Sequence, residues 1–214
     1  GTGSIRLGTG SLTVDRDDGT AAFDGVISET GTLTKSGANT VVLTGSNTYS
    51  GGTTITEGKL LANNASGSAT GGGFVNVLNG ATLGGNGSVN GMVTVDSGGT
   101  LAPGTSPGKL TVGSAIFNAG STLAIEIGGL AQGIQYDLLE VIGNLDLDGS
   151  TLEASFVDSY SPSIGQSFTI IDVGGSLTGT FAGVAEGESI GEFGAISLSI
   201  TYSGGDGNDV ALLA

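Results

Sequence analysis

At 214 residues the chain is long enough for one domain or two. Its net charge of −15, from 20 acids against 5 bases with no basic cluster, repels phosphate backbones and anionic membranes and argues against nucleic acid as a partner. Cysteine and histidine are both absent, which removes disulfides, thiolate zinc sites, cysteine nucleophiles, Ser-His-Asp triads and histidine–metal chemistry.

Glycine, at 43 residues, would by itself suggest low complexity, but Ile, Leu, Val and Phe together supply 57 residues, enough for a core, and they alternate with polar residues. The glycines therefore read as corners. No run of about 18 apolar residues occurs, so no membrane-spanning helix is expected. The sequence starts at Gly1 without an initiator Met or a signal peptide and reads as a piece of something longer.

In chain order, Ser11-Leu12-Thr13-Val14 is a short strand followed by the charged turn 15–19, the last part of a preceding coil. Phe23 and Val26-Ile27 open the next strand. Between Gly31 and Leu60 lie three short runs rich in β-branched residues, Thr32-Leu33-Thr34, Thr40 to Thr44 and Thr53 to Thr56, each bounded by turn formers. The block Gly45-Ser46-Asn47-Thr48-Tyr49-Ser50-Gly51-Gly52 is a polar corner between two of them. A phrase of glycine followed by Thr-Leu or Lys-Leu then recurs, ending at Leu33, Leu60, Leu83, Leu101, Leu110, Leu123 and Leu152, with irregular spacing.

Strand, corner, strand, corner predicts an all-β chain wound as a right-handed parallel β-helix, a solenoid of rungs about 4.8 Å apart. A coil of about 20 residues gives about six coils and a rod of about 30 Å over residues 1–130. Inward positions would be Val, Leu and Ile stacked rung on rung; outward positions would be Thr, Ser, Asn and Asp. Two Pro-Gly turns, Pro103-Gly104 and Pro107-Gly108, fix a rigid double corner.

After about residue 136 the character changes. Seven of the eleven aromatics fall in 136–214, and the strand candidates lengthen: 138–142, 151–156, 167–172, 195–202 and 209–213. Large aromatics suit an end piece that closes a core, so residues 1–136 read as coils and 137–214 as an aromatic-rich C-terminal β cap.

These residues resemble a known family. Leu33, Thr34, Lys35, Gly37, Leu43, Gly45, Asn47, Thr48, Tyr49, Gly51, Gly52, Thr53, Gly58 and Leu60 match the passenger-associated transport repeat (autotransporter-associated β-strand repeat) of bacterial autotransporters. The blocks Ala102-Pro103-Gly104-Thr105-Ser106-Pro107-Gly108 and Gly204-Gly205-Asp206-Gly207-Asn208-Asp209 are similar to blocks near the end of such passengers. The resemblance implies a segment exported across the outer membrane to the cell surface. It implies a translocator β-barrel as partner in the full-length protein, and a capping region that acts as an autochaperone.

Few residues invite chemistry. Asp15, Asp17 and Asp18, the pair Asp146 and Asp148, and the pair Glu186 and Glu188 are the carboxylate candidates; Asp146 and Asp148, two apart on a strand, share a face. All read best as solvated surface, with no catalytic residue among them. Asp206 and Asp209 lie in a single, incomplete copy of a calcium-binding nonapeptide, for which a turn is the better reading and calcium the alternative. No other cofactor is expected. Tyr49 reads either as a surface ligand contact or as a side chain packed over its corner. The expected function is structural and non-enzymatic, a folding template and surface stalk. The alternatives are an adhesin-like module binding a glycan or surface protein, a calcium-stabilised module and, last, an enzyme.

Overall fold

The computed structural model describes residues 3–193 and 196–214. Alternation along each short strand decides the architecture. In Thr40–Leu43, for instance, Val41 and Leu43 are buried while Thr40 and Val42 are not fully so. A strand buried on one face only must find a partner for that face, and here the partners are the strands of the other sides of the coil.

Among the described residues the main ladder of one face runs through Thr20–Phe23, Thr40–Leu43, Gly58–Ala62, Ala81–Gly85, Thr100–Pro103, Thr122–Ile127 and Thr151–Phe156, every pairing parallel. A second sheet runs through Ser11–Asp15, Thr32–Ser36, Thr53–Ile55, Val75–Val77, Ser88–Val95, Lys109–Phe117, Leu138–Val141 and Ser167–Val173, also parallel; it bends within Ser88–Val95 and Lys109–Phe117, whose later residues continue the second face while their first residues lie on a third side. Two short strands, Leu145–Asp146 and Leu177–Thr178, continue it from Lys109–Phe117. The third side begins with the parallel pair Ser4–Arg6 and Val26–Ser28. It then crosses two rungs without regular strands, through backbone bonds such as Thr48 N–H to the Ile27 carbonyl and Ala69 N–H to the Ser88 carbonyl, and resumes as strand where Ser88 and Val89 pair with Thr111 and Val112. The chain is a parallel β-solenoid, consistent with the right-handed β-helix expected for such crossovers.

The register explains the recurring leucines. Val41, Leu60, Leu83, Leu101, Leu123 and Leu152 pair one above the next and form a single inward column. Its outward neighbour is almost a threonine ladder: Thr20, Thr40, Lys59, Thr82, Thr100, Thr122 and Thr151. Six strands of each main ladder lie before residue 130, as six coils require. The coil length is not constant. Along the second sheet the step from Leu33 to Thr53 is 20 residues, whereas Leu110 to Leu139, past the bend, takes 29 and Leu139 to Ile171 takes 32.

Parallel winding continues past residue 137 and gives way at Ser167–Val173. That strand pairs in parallel with Leu138–Val141 on one edge and antiparallel with Asp209–Leu213 on the other. Ile196–Gly204 and Ser189–Phe193 extend the sheet antiparallel. The strand expected at 195–202 is thus found from Ile196, and Ala195 lies outside the described residues. Ser189–Phe193, which mixes Gly and Glu with two apolar residues, gave no strand signal. Phe168, Phe181, Leu198, Ile200, Val210 and Leu212 are buried here, with the Tyr136 ring edge-on to Phe168 at 5.4 Å. At the opposite end the first-rung residues Ile5, Leu12, Val14 and Phe23 are only half-buried.

Candidate functional site

The corner 45–52 and the strands that flank it hold several buried polar side chains with hydrogen-bond partners. Asn47 is buried, its Oδ1 accepting from the Ile27 amide at 2.7 Å and its Nδ2 donating to the Ala69 carbonyl at 2.5 Å. One side chain therefore ties together the rung before and the rung after its own. It substitutes for the strand ladder where the third side has none. Tyr49 is fully buried, and its hydroxyl bonds the Thr53 hydroxyl at 2.5 Å. The pair resolves two problems at once: a buried phenol gains a partner, and so does Thr53, which occupies an inward position between Leu33 and Val75. Burial pushes the Tyr49 phenol well above its usual range, against the bond from Thr53. Tyr49 is thus packed inside its corner, and the surface-contact reading is corrected.

Lys35 stands in the inward column between Val14 and Ile55 and is fully buried. Its ammonium donates to the carbonyls of Ser36, Gly37 and Glu57 at 2.9, 2.6 and 3.1 Å, which uses all three protons. Desolvation lowers its pKa, opposed by the charges of Glu57, Asp15 and Asp17. A buried lysine without such acceptors would cost several kcal/mol, of the order that buried ions pay after relaxation. The signal was present in the sequence: in Leu33-Thr34-Lys35 the alternation places Lys35 on the same side as Leu33.

The double corner at 103–108 is held by a second buried charge. Asp137 receives the Gly108 amide on Oδ1 and the Glu126 amide on Oδ2, both at 2.8 Å. Burial raises its pKa to about 7, against those two bonds and with help from the Glu126 charge. Gly104 exchanges paired backbone bonds with Gly85 one rung below.

The carboxylate candidates are scattered. Asp15, Asp17 and Asp18 are exposed, and Asp18 pairs with Arg16 at 3.5 Å. Asp146 and Asp148 do share the outer face, with Asp146 Oδ1 accepting the Asp148 amide at 3.2 Å. Glu186 accepts the Tyr202 amide and Glu188 the Ala185 amide, both at 2.7 Å, so each braces a turn.

In the 204–209 block, Asp206 is exposed. Asp209 is buried and accepts the Val173 amide on Oδ1 at 2.8 Å, while Asn208 Nδ2 donates to the carbonyls of Val173 and Gly175. These side chains pin the turn to Ser167–Val173. A calcium ion takes six to eight oxygens. Among the described residues no group of three or more acidic, His or Cys side chains is arranged to hold a metal.

Charge is distributed unevenly. All five bases lie at or before Lys109, and the 105 residues after it carry 13 acids and no base. Among the described residues no helix is long and apolar enough to cross a membrane.

Comparison with known proteins places this geometry. Residues 33–62, the stretch that holds Lys35, Asn47, Tyr49 and Thr53, match the passenger-associated-transport-repeat family. The chain is 42% identical over 105 residues, 49% of its length, to the adhesin BmaC autotransporter of Brucella suis biovar 1 (strain 1330), of which it covers 3%. It is 39% identical over 102 residues, 47% of its length, to an extracellular serine protease of Serratia marcescens, of which it covers 9%. The chain therefore spans a small part of each relative. Residues 33–62, within a parallel β-solenoid, thus match a passenger-associated transport repeat.

Proposed function

We propose that this segment is the scaffold of an autotransporter passenger at the cell surface, and that its C-terminal part, residues 137–214, is the template on which the coils fold. The observation that carries this reading is the change of sheet along the chain. The coils pair strand on strand in parallel, whereas the C-terminal strands close in an antiparallel sheet over buried aromatics. A closed end can fold without a neighbour; each coil needs the one beyond it to bury its apolar column and pair its edge.

During export the end nearest the translocator barrel would fold first, and each new rung would dock with gain of backbone bonds and apolar contact. Folding free energy then opposes back-sliding without any nucleotide. The segment contributes no catalysis in this reading: the buried Lys35, Asn47 and Asp137 are committed to backbone partners, and the chain has no histidine or cysteine. Removing residues 137–214 from the full-length protein is expected to reduce surface display severely, measured by flow cytometry against an N-terminal epitope. Display at the level of the intact protein would refute the template.

A second reading, a module that binds a glycan or surface protein, is favoured by the outward threonine column, which offers regularly spaced hydroxyls.

A further inference from the structure

The outer surface of the main ladder carries a trough. A cavity of about 370 Å³ lies over the strands Thr100–Pro103, Thr122–Ile127 and Thr151–Phe156, walled on one side by the loop 103–106. That volume falls within the range of small-ligand sites, roughly 300–1,000 Å³. Its floor is shallow chemistry: the outward residues Ala102 and Ala124 present only methyl groups, which is why the surface dips there.

Its rim is charged. Lys59 reaches in from Gly58–Ala62, two ladder steps below the floor strands, while Glu126 and Glu153 line the opposite part. None of the three has an ion-pair partner within 4.0 Å among the described residues. The nearby Asp137 is already spent on the Gly108 and Glu126 amides and shapes the wall. From the strand of Lys59 to the strand of Glu153 is four ladder steps, about 19 Å at the usual strand spacing. That span suits an oligomer. No aromatic or large apolar group other than the edge of Ile125 lines the trough, so a ligand must be held by hydrogen bonds and charge. Glu126, Glu153 and the hydroxyl of Ser155 supply acceptors at the end of the trough away from Lys59, where the local charge favours a cation.

We propose that this trough binds a short amino-sugar oligomer, with ammonium groups received by Glu126 and Glu153 and hydroxyl groups by Ser155 and Lys59. The inference is independent of the folding-template reading: a scaffold without this site and a site on a segment that templates nothing are both separately observable.

The test is a titration of the isotope-labelled chain, followed by amide shifts, with three probes: a glucosamine tetramer, its fully N-acetylated counterpart and tetralysine. The expected result is saturable shifts at Ala102, Ala124, Glu126 and Ser155 with the glucosamine tetramer and at least about tenfold weaker binding of the other two, the loss expected when a charge-assisted bond of about 1.4 kcal/mol is removed. The double variant Glu126→Gln, Glu153→Gln should lose about tenfold or more by the same reasoning. Ala124→Arg, which fills the floor from an outward position, should abolish binding while leaving the fold spectrum unchanged. Absence of saturable shifts, equal binding of the N-acetylated tetramer, or equal binding of tetralysine would each overturn the proposal.

Discussion

Replacing Asn47 tests whether the corner is held as described. Asn47→Ala removes the acceptor of the Ile27 amide and the donor to the Ala69 carbonyl. The side chain is 3% exposed, so water has little access to either group. Each buried backbone group left unpaired costs about 1–3 kcal/mol, and two such groups give a loss of about 2–6 kcal/mol. At about 2–4 °C per kcal/mol for a domain of this size, a loss near the middle of that range lowers Tm by roughly 8–16 °C. Asn47→Asp sharpens the test. One carboxylate oxygen can still accept from Ile27, but the other faces the Ala69 carbonyl and carries buried charge. The aspartate variant should therefore be less stable than the alanine variant at pH 7. It should recover part of the difference as the medium is acidified toward the ordinary carboxyl range near pH 4, where a protonated oxygen can donate to Ala69. Denaturant unfolding at both pH values reads all three proteins. Both variants unfolding within about 0.5 kcal/mol of the parent, the scatter of ordinary surface substitutions, would refute the bridging role.

Tyr49→Phe should cost about 1–2 kcal/mol because Thr53 then stays buried without a partner, and Thr53→Val in the same chain should recover part of it; a thermodynamic double-mutant cycle measures the coupling. Asp137 has a folded-state pKa of about 7, above its unfolded value of 3.8, so its contribution to stability is complete below about pH 4 and is lost as pH rises through 7. Comparing the parent with Asp137→Asn at pH 5 and pH 8 should show the parent losing stability relative to the variant on going to pH 8. A methyl group at Gly91 would sit on the Gly73 carbonyl oxygen, whereas one at Gly149 meets nothing within 4 Å and suffers only its positive φ of 71°. Gly91→Ala should accordingly unfold the chain at a clearly lower denaturant concentration than Gly149→Ala.

Much of this organisation is legible in the sequence because alternation has a period of two and rungs repeat it. The leucines that end each glycine phrase could be read as inward, and five of them do stack in one column. The parallel winding, the outward threonines and the strands at 151–156 and 209–213 were likewise readable. The corner was not. Ser46-Asn47-Thr48-Tyr49 is polar in composition and looks like a solvated turn, yet Asn47 and Tyr49 are inside, because a rung that lacks a strand on this side must satisfy its backbone with side chains. Lys35 was missed for a related reason: composition assigns lysine to the surface, and only the three carbonyls gathered from two rungs make its burial affordable. Those carbonyls come from residues 36, 37 and 57, a coincidence in space that one-dimensional pattern does not contain. The lengthening of the later coils, from 20 residues to 32, is carried by loops of no fixed period.

The account rests on rung-to-rung register, and the absence of native cysteine permits a direct measurement of it. Thr82 and Thr100 pair on adjacent parallel strands, and Thr122 pairs with Thr100 one rung further on. A disulfide needs Cα atoms within about 7 Å, which adjacent rungs at about 4.8 Å satisfy and rungs two apart do not. Under mild oxidation the Thr82→Cys, Thr100→Cys variant is predicted to close its disulfide nearly completely while the Thr82→Cys, Thr122→Cys variant stays reduced. Equal closure in both variants, or closure in neither, would contradict the wound ladder.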